Sequence, residues 1–229
     1  MSQISRRLLV FAIFFTVLIA GPAFLGSAFG PYPLMKWGDV LDILTPLILL
    51  PLYWGLLRSA GETPPSSKEM GAFVLLAALW VEGQGMHLSA NSIGHIVQGG
   101  DGGQLTHFYD EVLSHYLWHL GVIGLASLIF YRHWRTRLSG EFSWRSIIPA
   151  GIIHGFTLFL IFIEAVTIPL GLPFLTILML IILIWGRTRL GEQPVTTFFF
   201  ITSLVALLFL TGWGLYWGGF PEFSAVGLI

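Results

Sequence analysis

Histidines are concentrated in one stretch of this 229-residue chain: five of the seven lie between residues 82 and 119. His115 and His119 are four residues apart, a spacing that places both imidazoles on one helix face, where they can bind one metal ion. His87, on the preceding apolar segment, can supply a third ligand. Three protein ligands and an open position characterise catalytic zinc sites, in which bound water becomes a nucleophile near neutral pH.

Other polar residues accompany these three histidines. Glu111 and Asp110 precede His115 by about one helical turn, and we expect them to act as a general base or to orient a ligand. Because the chain contains no cysteine, nitrogen and oxygen atoms must hold any metal. Further polar residues that we expect around the pocket are Gln84, Asn91, Glu82, His154 and Glu164. The two remaining histidines of the stretch, His95 and His107, lie near the segment ends and are predicted bystanders.

The elements that must position these residues are apolar helices. The chain is 55% apolar and 10% charged, whereas soluble domains carry about 25% charged residues. A membrane-spanning helix needs about 20 mostly apolar residues. The sequence therefore predicts an all-α, multi-pass membrane protein that forms a single domain over residues 1–229. Its seven predicted spans cover roughly 7–29, 40–58, 71–98, 106–131, 146–169, 172–187 and 195–218.

The positive charges predict the orientation of these spans. Ten of the eleven lysines and arginines lie before the first span or in alternate links, and only Lys36 lies in the other set. By the positive-inside rule, the N-terminus is cytoplasmic and the C-terminus lies outside, in a membrane that we expect to be the plasma membrane. The first span also resembles a signal peptide, but no small-residue cleavage motif follows, which favours a retained helix. The net charge of −1 argues against a nucleic-acid partner.

Depth along the helices selects three of the histidines. With a rise of about 1.5 Å per residue, His87, His115 and His119 fall at one level, slightly outward of the midplane. The inner halves of the third and fourth spans are apolar, so we expect a pocket that opens outward and admits a lipid or another apolar molecule. The glycine-rich link GGDGGQ at 99–104 is predicted to be flexible. Asp42 and His133 are expected to be solvated, and PLGLP at 169–173 to form the tight link between the fifth and sixth spans.

Two other functions remain open for the same residues. Paired histidines on facing helices are typical axial ligands of haem, so the chain could be an electron-transfer subunit. Histidines and carboxylates also form proton or ion relays in membranes. With more carboxylate ligands, the site could instead hold non-haem iron, or copper, and catalyse a redox reaction.

The run SHYLWHLG at 114–121 resembles the H-x-x-W-H signature of seven-helix membrane hydrolases related to alkaline ceramidases and to lipid-remodelling enzymes of the GPI-anchor pathway. The resemblance implies seven helices and a zinc ion that serves in the hydrolysis of lipid amides or esters, with His115 and His119 as ligands. Two features differ from that superfamily. The histidine pair lies on the fourth span instead of the last, and Gly83 stands where a serine would precede His87.

Overall fold

The computed structural model describes residues 3–30, 32–97, 99–136 and 142–228. In this part of the chain, seven helices follow one another. They are α1 (Gln3–Ala20), α2 (Trp37–Arg58), α3 (Ser67–Gly94), α4 (Gly100–Arg135), α5 (Trp144–Glu164), α6 (Ile168–Trp185) and α7 (Pro194–Trp217). A short 3-10 turn, Gly21–Phe24, extends α1. Two antiparallel strands, β1 (Ala28–Phe29) and β2 (Tyr32–Lys36), then form a hairpin before α2. We call the end of the bundle that carries this hairpin the hairpin end.

Six of the seven helices are long and apolar enough to cross a membrane. The exception is α3, whose second half carries Glu82, Gln84, His87 and Asn91 among its apolar residues. The predicted all-α class is confirmed for the described residues, and the six apolar helices are consistent with an integral membrane protein. The helix boundaries differ from the predicted ones by a few residues at most ends, as expected where flanking turns continue a helix.

The start of α4 departs clearly from the predicted boundary. The helix begins at Gly100, inside the link that the sequence indicated to be flexible. A π-helical turn at Phe108–Leu113 interrupts it, in which the backbone N–H of Ser114 bonds to the carbonyl of Tyr109, five residues back. Single π turns are rare in helices and occur often at functional sites.

The connection from α5 to α6 also differs from the prediction. The link consists of residues 165–167, and PLGLP lies within the first two turns of α6. Proline fits there because the first helical N–H groups need no partner, so Pro169 occupies the first turn at no cost. This link is shorter than the predicted link PLGLP, and it places Thr167 at the hairpin end of the bundle.

Glycines allow α3 and α4 to pack closely. A side-chain Cβ at Gly83 would lie 2.5 Å from the Trp118 backbone nitrogen, and one at Gly121 would lie 2.8 Å from the Leu76 carbonyl oxygen. Both distances are shorter than any normal contact, so only glycine fits at these positions. The backbones therefore meet directly, and this contact holds His87 against the histidines of α4.

The opposite end of the bundle is fixed by Arg132. Its guanidinium donates to the carbonyl oxygens of Leu57 and Thr63 and to the Glu69 carboxylate, 2.8 Å away. Burial raises the pKa of Glu69, but hydrogen bonds from Ser66 and Arg132 outweigh it and hold that pKa below its ordinary value. His133 lies next to this cluster, buried, with Nε2 3.0 Å from the Leu56 carbonyl oxygen. The expectation that His133 is solvated is therefore wrong, because the end of α4 packs against the end of α2.

Candidate functional site

A cavity of about 540 Å³ opens at the hairpin end, and the three selected histidines line it together. His119 is fully buried and His115 nearly so, whereas His87 is half-buried. The predicted pocket residues Asn91, Glu111 and Glu164 also line the cavity. The remaining walls come from the 3-10 turn after α1, the first turns of α2 and the segment that follows α7, which contributes Glu222 and Ser224.

Each of the three imidazoles directs its Nδ1 atom towards an oxygen atom. His87 Nδ1 lies 2.8 Å from Asp110 Oδ1, within ion-pair distance although outside good hydrogen-bond geometry. His115 Nδ1 lies 3.0 Å from the Glu111 carbonyl oxygen. His119 Nδ1 lies 2.5 Å from Thr167 Oγ1. Contacts of this kind fix ring orientation and leave Nε2 as the second nitrogen of each ring.

The second nitrogens are in different surroundings. His119 Nε2 is buried and has no hydrogen-bond partner. The His115 ring also faces the backbone of Ala165, another residue of the cavity wall. A buried polar atom without a partner costs free energy, on the order of 1–3 kcal/mol. The unpaired nitrogen of His119 is therefore a position at which a ligand would gain a favourable interaction.

The rings lie close to one another without meeting at one point. Ring centroids are 5.0 Å apart for His87 and His115, and 6.3 Å apart for His115 and His119. Among the described residues, no group of three or more histidine, aspartate or glutamate side chains has its donor atoms arranged around a single metal-sized position. The three histidines thus form a cluster, and they do not form a ready-made metal cage.

The two carboxylates of the π turn have different positions. Asp110 contacts His87 and does not belong to the cavity lining. Glu111 lines the cavity, is 39% exposed, and has its Oε2 atom 3.8 Å from His115 Nδ1. Consecutive residues of a helix project about 100° apart, so Asp110 and Glu111 face different sides of α4. Asp110 is positioned to orient a ring, and Glu111 is positioned to contact a molecule in the cavity.

A series of hydrogen bonds connects α3 to Asp42 of α2 in the cavity wall. Asp42 lines the cavity and accepts a hydrogen bond of 3.2 Å from Gln84 Nε2, while Gln84 Oε1 accepts one of 3.2 Å from Trp80 Nε1. The expectation that Asp42 is simply solvated is wrong, because α3 covers it. Gln84 is buried and holds Asp42 from behind, so it lies next to the cavity and does not line it.

Several polar residues lie away from the cavity. Glu82, His95 and His107 are exposed and do not line it. His154 is fully buried in the core, between the rings of Phe11, Phe15 and Phe198, with Nδ1 3.4 Å from Thr202 Oγ1. The predictions that Glu82 and His154 belong to the pocket are therefore not met by the geometry. Glu82 lies on a face of α3 that points away from the cavity. α5 carries the His154 ring at a different depth, within the core.

Three residues of the site were not among those selected from the sequence. Thr167 contacts His119 from the α5–α6 link, 48 residues away along the chain. Glu222 enters the wall from beyond α7, and the indole of Trp118 lines the cavity with its Nε1 atom buried and without an acceptor. Local spacing carries no signal for Thr167 or Glu222, since only the packing of distant helices brings them to the histidines. Trp118 was visible within SHYLWHLG, where only its neighbours were selected.

Comparisons of the chain with protein-family models, with curated proteins and with solved structures found no match.

Proposed function

We propose that the chain is a membrane-embedded, metal-dependent enzyme, in its preferred form a zinc hydrolase that acts on a lipid or another apolar molecule. The observation that carries this proposal is the pairing of all three cavity imidazoles through Nδ1 with an oxygen atom. Metal-binding histidines almost always hold their second ring nitrogen in this way, against a carboxylate, a carbonyl or another polar group. The remaining Nε2 atoms of His87, His115 and His119 are the proposed ligands.

The spacing of the rings agrees with this assignment only after small side-chain rotations. Two imidazoles that share one zinc ion with Zn–N bonds of about 2.0–2.1 Å have ring centroids roughly 5 Å apart. The pair His87 and His115 meets this value at 5.0 Å, and His119 is about one ångström further from His115, at 6.3 Å. Binding therefore requires the His115 ring to leave the Ala165 backbone, and it gives the buried Nε2 of His119 a partner.

The neighbouring side chains supply the remaining parts of a hydrolytic site. A zinc ion held by these histidines would supply a water of lowered pKa, about 7, and would polarise a carbonyl oxygen. The Glu111 carboxylate faces the cavity, where it would accept a proton from the nucleophilic water as general base and pass it to the leaving group as the ester or amide bond breaks. The unpaired indole N–H of Trp118 is a donor for the oxygen atom on which negative charge develops. Asp110 orients the His87 ring and does not contact the substrate.

The charge distribution supports an outward-facing cavity. Among the lysines and arginines that the structure describes, the hairpin end with its cavity carries only Lys36, and the other nine lie at or near the opposite end. With the opposite end on the cytoplasmic side, the N-terminus is inside and the C-terminus outside. His87 and Asn91 of α3 then face the cavity instead of lipid, and α3 crosses the membrane together with the six apolar helices.

A redox function with non-haem iron or copper is the second candidate, and it is favoured by the carboxylates Asp42, Glu111 and Glu164, which line the same cavity. Haem fits less well. The facing rings of His87 and His115 have centroids only 5.0 Å apart, which leaves too little room for a macrocycle between them. An absorption spectrum of the purified protein separates these alternatives from zinc, since zinc is colourless and haem gives a Soret band.

The hydrolase proposal is tested with Glu111→Gln and its matched control Glu82→Gln. Purified protein is supplied with zinc and assayed for release of fatty acid from lipid esters and amides in micelles. We expect hydrolysis by the wild type and by Glu82→Gln. Glu111→Gln should lose about 10²–10⁴-fold in rate while it keeps its zinc. Equal rates for the two variants would exclude Glu111 as the base, and an inactive wild type with bound zinc would contradict the hydrolase assignment.

A further inference from the structure

A second concave site lies on the outside of the bundle, between α4 and α6. It is a groove of about 560 Å³ that shares no lining residue with the histidine cavity. Apart from the hydroxyls of Ser127 and Tyr131, its lining is apolar. The lining residues are Ile123, Ser127, Phe130, Tyr131, Trp134, Phe174, Ile177, Leu178 and Ile181.

Two arginines border the groove at the end opposite the hairpin. Arg135 Nη1 donates a 2.9 Å hydrogen bond to the Tyr131 hydroxyl, and its guanidinium lies 5.6 Å from the centre of that ring. Arg189 lies 4.1 Å above the Trp134 ring and donates from Nη1 to the Trp134 carbonyl oxygen. Neither guanidinium has a carboxylate partner within 4 Å among the described residues. Each arginine is thus held in place on an aromatic ring of the groove, and most of its donors have no partner within the described part of the chain.

The length and lining of the groove suit a hydrocarbon chain. It follows α4 from Ile123 to Trp134, which corresponds to a length of about 16 Å. The apolar lining ends beside two guanidinium groups, and this combination matches an acyl chain that carries an anionic headgroup.

We infer that this groove binds an anionic phospholipid, with one acyl chain along the apolar lining and the phosphate on Arg135 and Arg189. Guanidinium groups bind phosphate with paired, charge-assisted hydrogen bonds. Basic residues beside a gap between membrane helices are the usual site of such headgroups on the cytoplasmic side. This inference rests on the membrane insertion proposed above, and it is independent of the metal and of the reaction in the cavity.

The test compares phosphatidylglycerol with phosphatidylcholine of the same acyl chains, each titrated onto the detergent-purified protein and followed by native mass spectrometry. We expect tighter binding of phosphatidylglycerol to the wild type. The double variant Arg135→Gln/Arg189→Gln should lose affinity on the order of fivefold per arginine. The matched control Arg58→Gln/Lys68→Gln removes two exposed charges from the same end, away from the groove, and should bind as the wild type does.

A second variant tests the acyl-chain part of the site. Ile177 lines the groove and is 57% exposed, so Ile177→Trp fills the groove without disturbing the core or the charges. It should weaken the binding of phosphatidylglycerol, whereas glycerol phosphate should not compete at similar concentration. Equal binding of the two lipids, equal affinities of the two double variants, or competition by glycerol phosphate would each overturn the inference. Zinc content measured in the same samples tests the cavity proposal independently of lipid binding.

Discussion

The chemistry of the cavity depends on which nitrogen each imidazole presents to it. The three Nδ1 atoms face an aspartate, a backbone carbonyl and a threonine hydroxyl, and these contacts leave Nε2 as the nitrogen that each ring can offer to a ligand. The contact from Thr167 is the most distant in sequence and the best buried. If the Thr167 hydroxyl positions His119 for a metal, removal of this hydroxyl must weaken metal binding while the fold stays intact.

Thr167→Val is therefore expected to lower zinc affinity about 10–100-fold, because the His119 ring loses the group that orients it. Thr202→Val is the matched control, since it removes the same hydroxyl from beside His154, which lies outside the cavity. Competition titration with a coloured zinc chelator measures both affinities. A comparable loss in both variants, or none in Thr167→Val, would show that the hydroxyl does not act through His119.

Sequence spacing predicted part of this site. The four-residue interval between His115 and His119 and the estimated depth of His87 selected the three rings that share the cavity. The role of Asp110 could not be separated from that of Glu111, because the packing of α4 against α3 decides which of the two meets His87. Thr167 and Glu222 could not be found at all, since each reaches the cavity through helix packing across many residues.

At the level of helices, the contact between α3 and α4 determines whether the histidines meet. Gly83 and Gly121 lie where backbone meets backbone, whereas a Cβ at Gly85 would find nothing within 4 Å. Residue type alone does not distinguish Gly83 from Gly85. That difference depends on the rotation of α3 about its axis.

Substitution of the two glycines by alanine tests this contact. Gly83→Ala should destabilise the protein by about 1–3 kcal/mol, because the new methyl group pushes α4 away at Trp118. Gly85→Ala should be neutral or stabilise by up to about 1 kcal/mol through helix propensity. Thermal unfolding of the detergent-purified variants provides the comparison. A Gly83→Ala protein as stable as Gly85→Ala would contradict the close approach of the two backbones.

Helix existence was predictable from apolar length alone, and most helix ends were not. α4 begins at Gly100, where low glycine propensity indicates a link, and contacts with α3 outweigh that preference. α6 begins four residues before the predicted start, because Pro169 is compatible with a first helical turn. Both differences arise from tertiary packing and cap geometry, which local composition does not report.

For the whole molecule, the uneven distribution of basic residues predicts one orientation in the membrane. The chain has no cysteine, so single cysteines can be introduced without a background signal. Lys36→Cys at the hairpin end should react with a membrane-impermeant maleimide in intact cells. Glu62→Cys, an exposed residue at the opposite end, should react only after permeabilisation. The reverse pattern would invert the topology and place the cavity on the cytoplasmic side.

The central claim is that three histidines of one cavity bind a metal ion, and metal content after zinc loading and gel filtration tests it most directly. The wild type should retain one zinc ion per chain. His119→Ala and His115→Ala should lose it, and His95→Ala, an exposed histidine outside the cavity, should keep it. A wild type that retains no zinc, iron or copper, or a His95→Ala variant that loses as much metal as His119→Ala, would contradict the account.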